Sequence, residues 1–209
     1  MKMHHPWRSA FCVSVALLCQ SGLIWAASTT YQIDFGPANS PLAEGFEAGD
    51  LPVLEPVPDP GFTVSPVGGG KSIEITFKGE VSGFGLGDES KPLTTDGIFT
   101  VKSKADEPMN IPFAISGLPP GAKVKFSAIE AWNGRGRAAF ISLGDSGMID
   151  LAGQEPEADP PVPPEFVVVV EGLKVPANGT LEGVLSNSDG DKIRAEGQCG
   201  AFVIVVDTP

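Results

Sequence analysis

Glycine and proline interrupt this chain at intervals too short for helices. The sequence carries 26 glycines and 20 prolines in 209 residues. In a helix interior a glycine costs about 1 kcal/mol and a proline about 3 kcal/mol relative to alanine. Nowhere do apolar residues recur at a spacing of three to four for long enough to offset that. What recurs is alternation. In Ser72-Ile73-Glu74-Ile75-Thr76-Phe77-Lys78 the apolar residues fall on one side and the polar ones on the other. A period of two marks a strand with one face in the core.

The same reading places strands at Tyr31–Gly36, 97–101, Ile111–Ser116, 122–132, 137–143, 148–151, Phe166–Val170, 180–185 and Ala201–Val206. Residues 37–61 contain six prolines and read as loop, as does the Pro-rich and acidic stretch 155–164. Asn133-Gly134 suits a tight reversal, because both residues tolerate positive φ. It predicts a hairpin between 122–132 and 137–143. Phe166–Val170 is apolar throughout, which predicts a central strand buried on both faces. Short strands at regular spacing predict an all-β fold, an antiparallel β-sandwich of jelly-roll type, with the first and last strands paired.

Residues 1–27 read apart from this pattern. Lys2 and Arg8 precede an apolar stretch from Ala10 to Leu18, resumed at Leu23 and closed by Ala26, Ala27 and Ser28. That order predicts a secretory signal peptide and a single β-sandwich domain over 28–209, secreted to a periplasmic or extracellular location. Roughly 180 residues suffice for one hydrophobic core. No membrane anchor is expected in the mature chain, because no second apolar stretch reaches spanning length.

The signal segment takes chemistry with it. Both histidines, His4 and His5, and two of three cysteines, Cys12 and Cys19, lie there. Without an imidazole, Ser-His-Asp and Cys-His catalysis cannot be assembled. Zinc sites lack their usual ligands. Cys199 has no partner for an internal disulfide and reads as a buried free thiol. Loss of Lys2 and Arg8 makes the remainder two charges more negative than the whole chain's −12. Such a balance argues against nucleic acid as a partner. The chain reads as a non-enzyme.

Three segments resemble bacterial secreted galactose-binding-like β-sandwiches, the malectin-like and carbohydrate-binding-module-like group. Ile33-Asp34-Phe35-Gly36 is similar to their opening strand. Ile115-Ser116-Gly117-Leu118-Pro119-Pro120-Gly121 is similar to a turn entering a central strand. Asn178-Gly179-Thr180-Leu181 and Gly200-Ala201-Phe202-Val203-Ile204 resemble the closing pair of strands. The resemblance implies a non-catalytic module whose partner is an extracellular polysaccharide or glycan. The alternative is a structural or protein-interaction protein of the bacterial cell envelope.

Two candidate sites follow from the residues. Trp132, Asn133, Arg135 and Arg137 combine an aromatic face with planar hydrogen-bonding groups, as sugar recognition does. The guanidinium forks would suit the carboxylate of a uronic acid. The same residues also make an ordinary hairpin. Asn187, Asp189 and Asp191 alternate like the start of a calcium loop, although Lys192 and Gln198 replace its expected Gly and Glu. Structural calcium is the one cofactor this suggests, against a solvated turn around Asp189-Gly190. Gly144-Asp145-Ser146-Gly147 looks like a nucleophile motif but has ordinary turn composition.

Overall fold

The computed structural model describes residues 27–85, 96–100, 107–131, 137–152 and 165–209. Among them there is no helix, and the strands form three mostly antiparallel sheets. The long strands are β1 (Ser28–Gly36), β5 (Ile73–Phe77), β6 (Glu80–Gly85), β7 (Asp96–Thr100), β8 (Asn110–Ser116), β9 (Lys123–Ile129), β12 (Val167–Lys174), β13 (Leu181–Ser186) and β15 (Ala201–Asp207). Shorter ones are β2 (Glu47–Asp50), β3 (Val57–Pro58), β4 (Gly61–Val64), β10 (Phe140–Leu143), β11 (Ile149–Asp150) and β14 (Gln198–Cys199).

The first sheet runs β12-β9-β15-β1-β2, the second β11-β10-β13-β8-β5-β4, and the third β14-β7-β6-β3. The first and last strands pair as expected, with Ser28 opposite Asp207 and Asp34 opposite Ala201. Alternation sets which side is buried. Ile33, Phe202 and Ala128 lie in one row across the first sheet, and all three are buried. Ile75, Ile115 and Leu181 do the same in the second. These two faces meet in a cluster of phenylalanines. Phe202 packs edge-on to Phe35 and Phe126 at 4.9 Å, and lies 5.5 Å from Phe113. Val81 and Ile98 of the third sheet join the same core.

Gly183 shows how closely the second sheet is built. It sits opposite Phe113 on the neighbouring strand. A Cβ there would run into the Phe113 ring and the Ser142 carbonyl oxygen.

Several expectations are corrected. The hairpin between 122–132 and 137–143 does not form. β9 has both edges taken, by β12 and β15, while β10 pairs with β11 and β13 in another sheet. A turn-prone dipeptide permits a reversal, but strand partners are chosen by burial. The turn at Asn178-Gly179 joins strands of different sheets, β12 and β13. The apolar run at 166–170 is an edge strand, not a central one. Among the described residues β12 pairs on one edge only, its register shifts twice against β9, and Val168 is 44% exposed. Valine runs favour extended backbone whether or not both faces are covered. The 37–61 stretch, read as loop, contains β2, which adds a parallel strand to β1, and β3. The loop expected at 155–164 lies outside the described residues, as do residues 1–26.

Candidate functional site

The polar group that best repays attention gathers where β9 ends, β10 begins and the 187–197 loop returns to β14. Residues 137–139 run beside Gln198. Its N–H donates to the Arg137 carbonyl at 2.8 Å, and its carbonyl accepts from the Ala139 N–H at 2.8 Å. This short ladder fixes where the flanking side chains emerge.

Two ion pairs occupy the place. Arg137 Nη1 lies 3.2 Å from Glu196 Oε2, which also accepts from Gln198 Nε2 at 3.1 Å. Arg194 reaches across the outer side of the second sheet. Its Nη1 and Nη2 donate to Asp150 Oδ1 and Oδ2, both at 2.8 Å, and Nη1 also donates to the Ala138 carbonyl. The guanidinium lies over the Phe140 ring, 4.3 Å from its centroid. A planar fork matched to a carboxylate and stacked on an aromatic face is a geometry lysine could not reproduce.

Glu130, one residue beyond β9, shares the field of the Arg194–Asp150 pair. Burial pushes its carboxyl up to about 7; Arg194 opposes that and Asp150 adds to it. Gln198 completes the group. It is 3% exposed, and its Oε1 is buried without a hydrogen-bond donor among the described residues.

Of the expected ligand-binding residues, Arg137 belongs to this group. Trp132, Asn133 and Arg135 lie outside the described residues. Two of the three expected calcium residues, Asn187 and Asp189, bond within the chain. Asn187 is buried; its Oδ1 accepts from the Met109 N–H at 2.7 Å, and its Nδ2 donates to the carbonyls of Arg194 and Glu107. Asp189 Oδ1 accepts from the N–H groups of Asp191 and Lys192, which closes its own turn and holds its carboxyl below the usual range. Among the described residues no group of three or more His, Cys, Asp or Glu is placed to hold a metal. Ser146 also serves a turn: its Oγ accepts from the Leu143 N–H at 2.9 Å.

Sequence reading missed Glu130, Asp150, Arg194, Glu196 and Gln198. One signal was present. Only three arginines follow residue 27, namely Arg135, Arg137 and Arg194, so each had few rivals for a carboxylate.

The chain matches no family model, no curated protein and no solved structure. The reading of its function therefore stands on the residues themselves.

Proposed function

We propose that this protein is a secreted, non-catalytic β-sandwich module of jelly-roll type that binds carbohydrate. The observation that carries the reading is the position of Trp132, Asn133 and Arg135 in the sequence. They lie between Glu130, which feels the charges of Arg194 and Asp150, and Arg137, which pairs with Glu196. An aromatic residue flanked in sequence by polar and charged groups is the composition that sugar rings and hydroxyls call for. The two facing phenylalanine-rich sheets are compatible with the sandwich, and the charged, apolar, small-residue order of residues 1–27 supports export.

The absence of histidine after residue 27 supports a binding role over catalysis. A glycosidase needs a second carboxylate free to act beside a protonated one. Glu130 has the raised carboxyl, but both oxygens of its charged neighbour Asp150 are held by Arg194. A second reading, an interaction protein of the cell envelope, draws on Val53 and Leu54. These apolar side chains are 52% and 70% exposed, and Leu54 adopts φ +56°.

Binding to a broad glycan panel, compared with Trp132→Ala, tests the proposal. Binding that the variant loses supports a lectin-like module at this site. A folded protein that binds no glycan shifts the reading to the interaction protein.

A further inference from the structure

The outer face of the first sheet gathers lysines in a chain that has few cations. After residue 27 there are 12 Lys and Arg against 26 Asp and Glu. Lys123 on β9 and Lys174 on β12 stand directly opposite each other, and both are exposed. Lys125 lies on the same side of β9, with Val124 between them turned into the core. Residues opposed across an antiparallel ladder have Cα atoms about 5 Å apart, and like charges placed so repel. Lys125 has a carboxylate at hand, Glu171 Oε1 at 3.6 Å. Among the described residues Lys123 and Lys174 form no ion pair; Asp207, opposite Lys123 on β15, lies beyond ion-pair distance.

A bulge makes the two lysines neighbours. From Val170 to Leu173, three steps along β12 match two along β9, from Phe126 to Val124. Gly172 sits in this shift at φ +76°, a conformation that favours glycine. In an unshifted strand Leu173 would stand opposite Lys123 and Lys174 would turn toward the core, because a one-residue slip exchanges the faces.

We infer that this face binds an acidic polysaccharide, a chain of uronic acid residues whose carboxylates meet Lys123, Lys174 and Lys125. Two unpaired ammonium groups held side by side lack only an anion between them. Lysine suits carboxylates that arrive in varied orientations, because it acts as a point charge with rotatable donors. An open sheet face suits an extended polymer, whereas small ligands are held in concave pockets. Beyond Lys125 its row continues through half-buried Val205 and Thr30, which offer the sugar rings an apolar and a hydroxyl contact. The acidic remainder of the chain repels a polyanion as densely charged as nucleic acid. The inference rests on the carbohydrate reading above for its class of ligand. It places the contact at the Lys123 end of β9, away from the end that leads to Trp132.

The test is binding of the protein, purified after expression of the full chain, to polygalacturonate, alginate, a neutral glycan array and polyglutamate, at low and high salt. Lys123→Gln, Lys174→Gln and the double Gln variant are compared with the double variant Lys123→Arg, Lys174→Arg and with Trp132→Ala. The expected result is binding to the polyuronates that weakens with salt and persists in the double Arg variant. It should fall about tenfold in the double Gln variant, as two exposed charge contacts are lost. Thermal unfolding of each variant reports whether it folds, and the single Gln variants carry the comparison if the double one does not. Polyuronate binding unchanged in the folded Gln variants overturns this inference and leaves the carbohydrate reading intact, as does binding confined to neutral glycans. Equal binding to polyglutamate marks a surface for acidic polypeptide as much as for sugar and overturns it too. Binding to no glycan overturns both.

Discussion

Arg194 grips Asp150 with both arms of its guanidinium, each N···O contact at 2.8 Å, and in doing so fastens the 187–197 loop across the outer face of the second sheet. The contact spans 44 residues of sequence. Phe140 beneath the guanidinium and the Ala138 carbonyl beside it complete the fastening. Asn187 anchors the start of the same loop through Met109 and Glu107.

Arg194→Met should therefore destabilise the protein by about 2 kcal/mol, because Asp150 is left partly buried without its counter-ion. The remaining exposure of Asp150, 32% of its side chain, keeps the loss below that of a fully buried pair. Urea unfolding of Arg194→Met, Asp150→Asn and the double variant measures the coupling. Strictly additive losses would show that the two residues act separately.

Glu130 predicts a pH dependence. Its carboxyl is raised from 4.5 to about 7 in the folded state, so the folded chain binds a proton that the unfolded chain has already released. Stability from this residue is full below about pH 4.5, falls as pH rises toward 7, and is level above that. Solvent screening of the partly exposed group holds the loss to roughly 1 to 2 kcal/mol. Urea midpoints at pH 5 and pH 8 check this. Glu130→Gln should flatten the difference and be the more stable of the two at pH 8.

Gly183→Ala should cost about 1 to 3 kcal/mol, the range for overpacking a closed core. The added methyl meets the Phe113 ring and the Ser142 carbonyl oxygen. Phe113→Leu in the same chain should recover part of the loss by opening the space above residue 183. A thermal melt of the two single variants and the pair reads the compensation.

Cys199 is fully buried and its thiol is pushed far up by burial, so it is protonated and inaccessible in the native state. Its modification by an alkylating reagent should follow unfolding, with labelling of the Cys199 peptide in urea and nearly none without it. Rapid labelling of the folded protein, read by mass spectrometry, would contradict the buried position.

Leu54 holds φ +56° with its side chain 70% exposed. A left-handed conformation costs a side-chain-bearing residue roughly 1 kcal/mol that glycine avoids. Leu54→Gly should leave stability unchanged or raise it by up to about 1 kcal/mol. Loss of a pulled-down partner in this stable variant would favour the interaction reading; unaltered glycan binding would favour the carbohydrate one.

The sequence by itself determined the strands whose alternation survives in the structure. Ile73, Ile75 and Phe77 all turn inward and are fully buried, and Phe202 and Ile204 lie against Ile33 and Tyr31. It also determined that imidazole chemistry is absent after residue 27 and that Cys199 stands alone. Side-chain periodicity and composition are local, so they can be read along the chain.

Partner choice is not local, and only the tertiary structure decided it. β9 and β10 look like two arms of a hairpin, yet they belong to different sheets because β12 and β15 bury the edges of β9. Val167 to Val170 look central and lie at an edge. Arg194 sits in a stretch that reads as solvated loop, between Asp189 and Glu196. Its role exists only because the fold brings Asp150 and Phe140 beneath it. A guanidinium finds its carboxylate by distance in space, and sequence spacing carries no record of that distance.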